Sequence, residues 1–116
     1  YENIDRHFLH QANIFIMKNI AKRTGIELDK MPISIEKYGN TGAATIPLTI
    51  CDHYAKRNKT SVTENISICG FGIGLSLGVG VLTFDSTIIY PIKICESHFD
   101  DDIDNLHNET SQMVNL

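Results

Sequence analysis

The stretch Asn65-Ile66-Ser67-Ile68-Cys69-Gly70-Phe71-Gly72-Ile73-Gly74-Leu75-Ser76 decides between two folds. Its first half alternates, with Ile66 and Ile68 on one face and Ser67 and Cys69 on the other, which is the period-2 pattern of a strand. The glycines invite a dinucleotide-binding reading, but Leu75 stands where G-x-G-x-x-G needs its third glycine. Ser76 to Phe84 then continues as strand sequence where that motif requires a helix. The stretch is therefore read as a hairpin whose turn brings bare backbone N–H groups beside a ligand. Gly78 and Gly80 share a face of the second strand and are expected to let a helix approach closely.

Upstream, two polar stretches sit at the mouths of predicted helices: His10-Gln11-Ala12-Asn13 and Tyr38-Gly39-Asn40-Thr41-Gly42. Corners of this kind let a rigid scaffold aim polar side chains into a pocket, and the two stretches are read as one site. His7 to His10 ends a short strand. Asn13 to Thr24 follows as a helix closed by Gly25, with Ile14, Ile16, Met17, Ile20 and Ala21 on one side at helical spacing. The opposite side carries Lys18, Lys22 and Arg23 with Phe15 among them. An aromatic on a basic, solvent-facing stripe is either a stray surface residue or a docking patch for an acidic partner.

Leu28 to Met31 is predicted as a turn and Ile33 to Ile35 as a strand leading into the Asn40 loop. Gly39 and Gly42 flank that loop, and Thr41 is a candidate cap for a helix running from about Ala43 to Arg57. Pro47 is tolerable near its first turn. Thr49, Asp52, His53 and Lys56 form a polar face expected to be solvated.

At 116 residues with 42% apolar and 21% charged residues, the chain has the composition of one ordinary globular domain. No apolar run is long enough to span a bilayer as a helix. Cys51, Cys69 and Cys95 are odd in number and lack paired spacing, which argues against a disulfide framework and against a zinc site. The metal alternatives, Cys51-Asp52-His53 and Cys95-Glu96-Ser97-His98, have the wrong spacing. The net charge of -4 is unevenly spread. Residues 1–84 carry nine Lys/Arg against seven Asp/Glu, whereas residues 85–116 carry one Lys against seven Asp/Glu. The latter read as an acidic, solvated and mobile extension. Beginning at Tyr1, the chain is read as a piece of a longer protein, and its setting as cytoplasmic.

Four motifs in order carry a family resemblance: Phe8-Leu9-His10-Gln11-Ala12-Asn13, Ala21-Lys22-Arg23-Thr24-Gly25-Ile26, Tyr38-Gly39-Asn40-Thr41-Gly42-Ala43-Ala44-Thr45-Ile46-Pro47-Leu48 and Gly70-Phe71-Gly72-Ile73-Gly74-Leu75-Ser76. Over residues 1–84 the chain resembles the C-terminal part of β-ketoacyl-[acyl carrier protein] synthase III. The resemblance implies an α/β fold, the C-terminal part of a thiolase-like fold, with a mixed sheet, packed helices and a C-terminal hairpin. It implies a decarboxylative Claisen condensation of an acyl-CoA primer with malonyl-acyl carrier protein in fatty acid or related biosynthesis.

In that reading His10 and Asn40 are catalytic and stabilise the enolate, while Asn13, Phe71, Gly72 and Ile73 contribute to substrate and oxyanion binding. Acyl carrier protein would dock on Gln11, Ala12, Asn13, Ile14, Phe15, Lys18, Lys22 and Arg23. The implied partners are acyl carrier protein, coenzyme A thioesters and the N-terminal half of the same enzyme, with a homodimer in the full enzyme. No cofactor, metal, nucleic acid or membrane is implied. The nucleophilic cysteine belongs to the family's N-terminal half, so the chain alone is expected to be inactive. The sequence departs from the pattern at Ile73 (usually glycine), Leu77 (usually tryptophan) and Phe15 (usually arginine). The alternative is a catalytically silent module that binds acyl carrier protein through the Phe15 and Lys22 face.

Overall fold

The computed structural model describes residues 3–55, 62–86 and 89–94. Strand β1 (Arg6–Leu9) is followed by helix α1 (Ile14–Thr24), the short helix α2 (Ile35–Tyr38), helix α3 (Thr45–Ala55) and the hairpin β2 (Thr63–Gly72) and β3 (Ser76–Asp85). Single 3-10 turns at Leu28–Lys30, Gly42–Ala44 and Ile73–Leu75 join these elements. The sheet order is β1-β2-β3. Strand β1 runs parallel to β2, Arg6 beside Ile66 and Leu9 beside Cys69. The hairpin is antiparallel, from Thr63 opposite Asp85 to Gly72 opposite Ser76. The sheet is thus mixed, and the connection from β1 to β2 carries all three helices.

Alternation along β1 sends Phe8 and Leu9 to opposite faces. Leu9 packs with Met17, Ala21 and Met31, joined by Cys69 and Phe71 of β2. This is the α1 face. Phe8 packs with Ile66 and with Tyr54 of α3, joined by Ile46, Ile50, Ile68 and Phe84. Two helices therefore cover opposite sides of one sheet. Phe8, Met17 and Ile66 are fully buried, and burying side chains of this size contributes about 1.5–3 kcal/mol each.

Local chemistry sets the helix ends. The Asn13 side chain accepts from the Ile16 N–H at 2.8 Å, and Gly25 at φ 74° donates its N–H to Ala21 O at 2.9 Å. Both match the expected start and stop of α1. Pro47 is the third residue of α3, within its first turn.

Four expectations need correction. Residues 33–35 do not form a strand: the Ser34 N–H is taken by the Gln11 side chain, and Ser34 O accepts the N–H groups of Lys37 and Tyr38, which closes α2 instead. Thr41 makes no side-chain cap; Asn40 Oδ1 accepts from the Gly42 N–H at 3.1 Å. The polar residues of α3 point inward: Thr49 is 1% exposed and Asp52 7%, because α2 supplies polar partners. His53 packs edge-on against Phe8 and Tyr54; Lys56 and Arg57 lie outside the described residues. Gly78 has no close neighbour and Gly80 faces Ile68 of its own sheet. The glycine that faces a helix is Gly70, opposite Ile46 of α3.

On the α1 face, β3 presents Leu77, Val79 and Val81, all well exposed. Past β3, the Ser86 N–H bonds to Val62 O and Ile89 packs against the Phe8 cluster. The acidic run expected to be a mobile tail lies outside the described residues.

His7 is buried beneath this surface and shares a 2.7 Å hydrogen bond with Ser67 Oγ. Burial first, and then the positive charge of Lys30, hold its pKa below the ordinary 6.5. The unfolded chain then takes up the proton more readily, so this contribution to stability is complete above pH 6.5 and is lost as pH falls toward the lower folded value. Denaturant titrations are expected to show a lower midpoint at about pH 5 than at about pH 7.5, and a smaller difference in His7→Gln.

Candidate active site

β1 and β2 together place the first group. The His10 N–H donates to Cys69 O at 2.8 Å, adding one more rung beyond the end of β1. A tight turn, Ala12 N–H to His10 O at 3.1 Å, then leads toward α1. The imidazole lies edge-on to Phe71, with ring centroids 5.3 Å apart and planes at 85°. His10 Nδ1 is 2.7 Å from Thr45 Oγ1, and that hydroxyl donates to Gly42 O at 2.8 Å. Thr45 is 2% exposed.

The second group sits on the loop between α2 and α3. Gly39 at φ 69° and Gly42 at φ 60° take left-handed conformations that favour glycine and turn the chain around Asn40. Because Asn40 Oδ1 accepts from the Gly42 N–H, the amide NH2 is left to donate into the cleft. The loop is held from behind: Lys37 Nζ and Tyr38 OH both donate to Asp52 Oδ1 at 2.8 Å. The hydrogen bond to Asp52, and then that to Tyr38, raise the Lys37 pKa above the ordinary lysine value. Ser34 and Thr49 hydroxyls meet at 2.6 Å in the same layer.

The third wall is the glycine turn. His10, Asn40, Thr45, Gly70, Phe71 and Gly72 are among the residues lining one open cleft of about 610 Å³. Gly42, Ala43, Ile46 and Ser76 also line it, and among the described residues the lining holds no Asp, Glu, Lys or Arg. Leu75, beyond Gly74, takes a positive φ of 58° and is fully exposed at the hairpin tip.

Four of the residues expected at the site meet here: His10, Asn40, Phe71 and Gly72. Asn13 does not line the cleft and spends its side-chain oxygen capping α1; Ile73 lies in the 3-10 turn past Gly72. Of the expected docking residues, Phe15 is 73% exposed, and Asn13, Lys18, Lys22 and Arg23 are exposed as well. Phe15 and Arg23 share a shallow pocket with Ile16, Asn19 and Ile20. Ala12 and Ile14 are half-buried. Gln11 is fully buried, donating to Leu9 O and accepting from Ser34 N, so its side chain braces the site from inside and is not offered to a partner. Thr45 went unremarked in the sequence as a site residue. Its signal was a hydroxyl at the first turn of a helix, five residues after Asn40.

The profile of the family described as 3-oxoacyl-[acyl-carrier-protein] synthase III, C terminal, matches residues 1–84. The chain belongs to this family. Over 77 residues it is 48% identical to beta-ketoacyl-[acyl-carrier-protein] synthase III of Staphylococcus aureus, a match that covers 66% of this chain and 24% of that protein. The chain thus spans about a quarter of the length of such relatives. A 3-oxoacyl-(acyl-carrier protein) synthase from Burkholderia xenovorans superposes with a TM-score of 0.67 at 32% identity, covering 78% of this chain and 26% of that one. The synthase III from Aquifex aeolicus gives 0.63 at 32% identity, covering 72% and 27%. These neighbours are thiolase-like, and the mixed α/β architecture of the chain agrees with their C-terminal part. The family works in fatty acid biosynthesis. Among the described residues no helix is long and apolar enough to cross a membrane.

Gln11 ties the end of β1 to the start of α2, which gives a direct test of how the site is braced. Gln11→Leu leaves the Ser34 N–H without its acceptor in a buried position, a cost on the order of 1–3 kcal/mol. A lower denaturation midpoint is expected, together with faster amide exchange at Ser34 and along α2.

Proposed function

We propose that this chain is the C-terminal part of a 3-oxoacyl-[acyl carrier protein] synthase III that condenses an acyl-CoA primer with malonyl-acyl carrier protein. The observation that carries the reading is the convergence of His10 and Asn40, from separate elements, on one cleft beside the Phe71–Gly72 turn. Loss of carbon dioxide from a malonyl thioester leaves negative charge on the thioester oxygen. Two N–H donors directed at that oxygen, the Asn40 amide and a ring N–H of His10, stabilise the enolate as it forms. The Asn40 amide is oriented for this by its bond to Gly42. Phe71 packs on the imidazole and keeps that side of the cleft apolar. Backbone N–H groups near Gly72 and Ile73 would serve the tetrahedral intermediate of the condensation, and Asn13 stands at the edge of the substrate path.

The nucleophile for acyl transfer lies outside this chain in this reading. Cys51 is in α3 and Cys69 in β2, neither lines the cleft, and burial raises the Cys69 thiol pKa, the wrong direction for a nucleophile. The chain alone is then inactive and acts with the N-terminal half of its enzyme, as a homodimer in the cytoplasm and without a cofactor. In this reading acyl carrier protein docks on the solvent-exposed side of α1: Lys18, Lys22 and Arg23 supply positive charge, and Phe15 an apolar contact, with Ala12, Asn13 and Ile14 at its margin. The exposure of Phe15 also supports a second reading, a catalytically silent module that binds acyl carrier protein through this face.

Two experiments test these assignments. In a complete enzyme containing this sequence, Asn40→Ala is expected to slow malonyl decarboxylation by about 10² to 10³, while radiolabelled acylation of the cysteine falls much less. His10→Ala is expected to lose decarboxylation similarly. A folded Asn40 variant that decarboxylates normally, or that loses both steps equally, removes the enolate role. For docking, charge reversal at Lys22 and Arg23 is expected to weaken carrier-protein binding at low salt and flatten its salt dependence. Unchanged affinity would return Phe15 to an isolated surface aromatic.

A further inference from the structure

The contact behind His10 limits what that residue can donate. Thr45 has one hydroxyl proton and two neighbours that compete for it, Gly42 O at 2.8 Å and His10 Nδ1 at 2.7 Å. A carbonyl oxygen can only accept. If the hydroxyl proton lies toward Gly42 O, then Thr45 Oγ1 accepts from a protonated His10 Nδ1 and both bonds are made. If the proton lies toward His10, two oxygens face each other at 2.8 Å with none between them, and one bond is lost. Thr45 is buried, so water does not readily replace that bond. The complete network therefore belongs to the Nδ1–H form of the ring.

We infer that Thr45 is a positioning residue that holds neutral His10 as the Nδ1–H tautomer, so that Nε2 meets the cleft as an acceptor and becomes a donor only in the imidazolium. The inference rests on the enolate role proposed for His10 and deepens it. Imidazole in water favours the opposite tautomer, with the proton on Nε2, so the assignment is a property of this contact and not of histidine itself. Its chemical consequence is specific. A neutral His10 cannot hydrogen-bond to an enolate oxygen through Nε2, whereas the imidazolium both donates to it and neutralises its charge.

Among the described residues, the groups facing the ring are Thr45 from the start of α3, Phe71 from β2 and Asn40 across the cleft, and none of these is an acid or a base.

The ring nitrogens report their protons directly. In the 116-residue chain with 15N-labelled histidine, long-range 1H–15N correlation spectra at a pH where the ring is neutral distinguish the two tautomers. The His10 signals are those missing from His10→Asn. They are expected to show a protonated Nδ1 and a bare Nε2, unchanged in Thr45→Ser and shifted toward the Nε2–H form in Thr45→Val. Should Thr45→Val lose its folded backbone fingerprint, Thr45→Ala carries the same expectation. Neutral His10 with its proton on Nε2 in the parent chain overturns the inference, as does a folded Val or Ala variant whose tautomer is unchanged. No substrate is present, so failure of the condensing reading leaves this result intact. In a complete enzyme containing this sequence, the pH profile of decarboxylation is expected to differ between the parent and a folded Thr45→Val. Equal profiles overturn the inference.

Discussion

Parallel pairing of the four-residue strand β1 with the centre strand β2 is the constraint from which the rest of the structure follows. A parallel pair cannot be closed by a tight turn, so the chain from Leu9 to Thr63 must leave the sheet and return, and its helices are the covering layers. Because neighbouring side chains on β1 point to opposite faces, Phe8 and Leu9 seed two separate clusters, one under α3 and one under α1. The last rung of the same pairing, His10 N–H to Cys69 O, sets the imidazole against Phe71 two residues farther along β2. Disturbing that pairing would move core and site together.

Asn40 has no strand beneath it and is placed by polar contacts instead. Asp52 gathers Lys37 and Tyr38, and Thr49 meets Ser34, so the inner side of α3 grips α2 by hydrogen bonds. Such bonds are directional in a way that apolar packing is not. They suit a loop whose amide must point one way. Gln11 makes a matching link from the His10 side, since it reaches Ser34 at the entrance of α2. The two halves of the site are thus braced against one another through buried polar groups, which is why several uncharged polar residues lie in a domain of this size without facing solvent.

The sequence stated its local structure plainly where local chemistry decides it. Asn13 and Gly25 mark the ends of α1, the glycine turn marks the hairpin, and spacing picks out Met17, Ile20 and Ala21 as one side of a helix. The motifs also single out His10, Asn40, Phe71 and Gly72, which line one cleft. It misled at Ile33 to Ile35, where an alternating Ile-Ser-Ile looked like a strand but lacked a partner edge, and along Thr49 and Asp52, where a polar face looked solvated. A pattern of polar and apolar residues shows that two sides of a helix differ. It does not show which neighbour covers each side.

By itself, then, the sequence determined most of the elements, the family and the residue types that converge on the cleft, because caps, turns, periodicity and motif order are all encoded within a few residues of one another. The tertiary structure alone decided which of those residues meet: that Gln11 is buried and Phe15 exposed, that Asn13 does not line the cleft, and that Thr45 stands behind His10. The contact between His10 and Thr45 joins positions 35 residues apart. It exists only because β1 and the start of α3 are packed together, and no local rule of spacing carries that information.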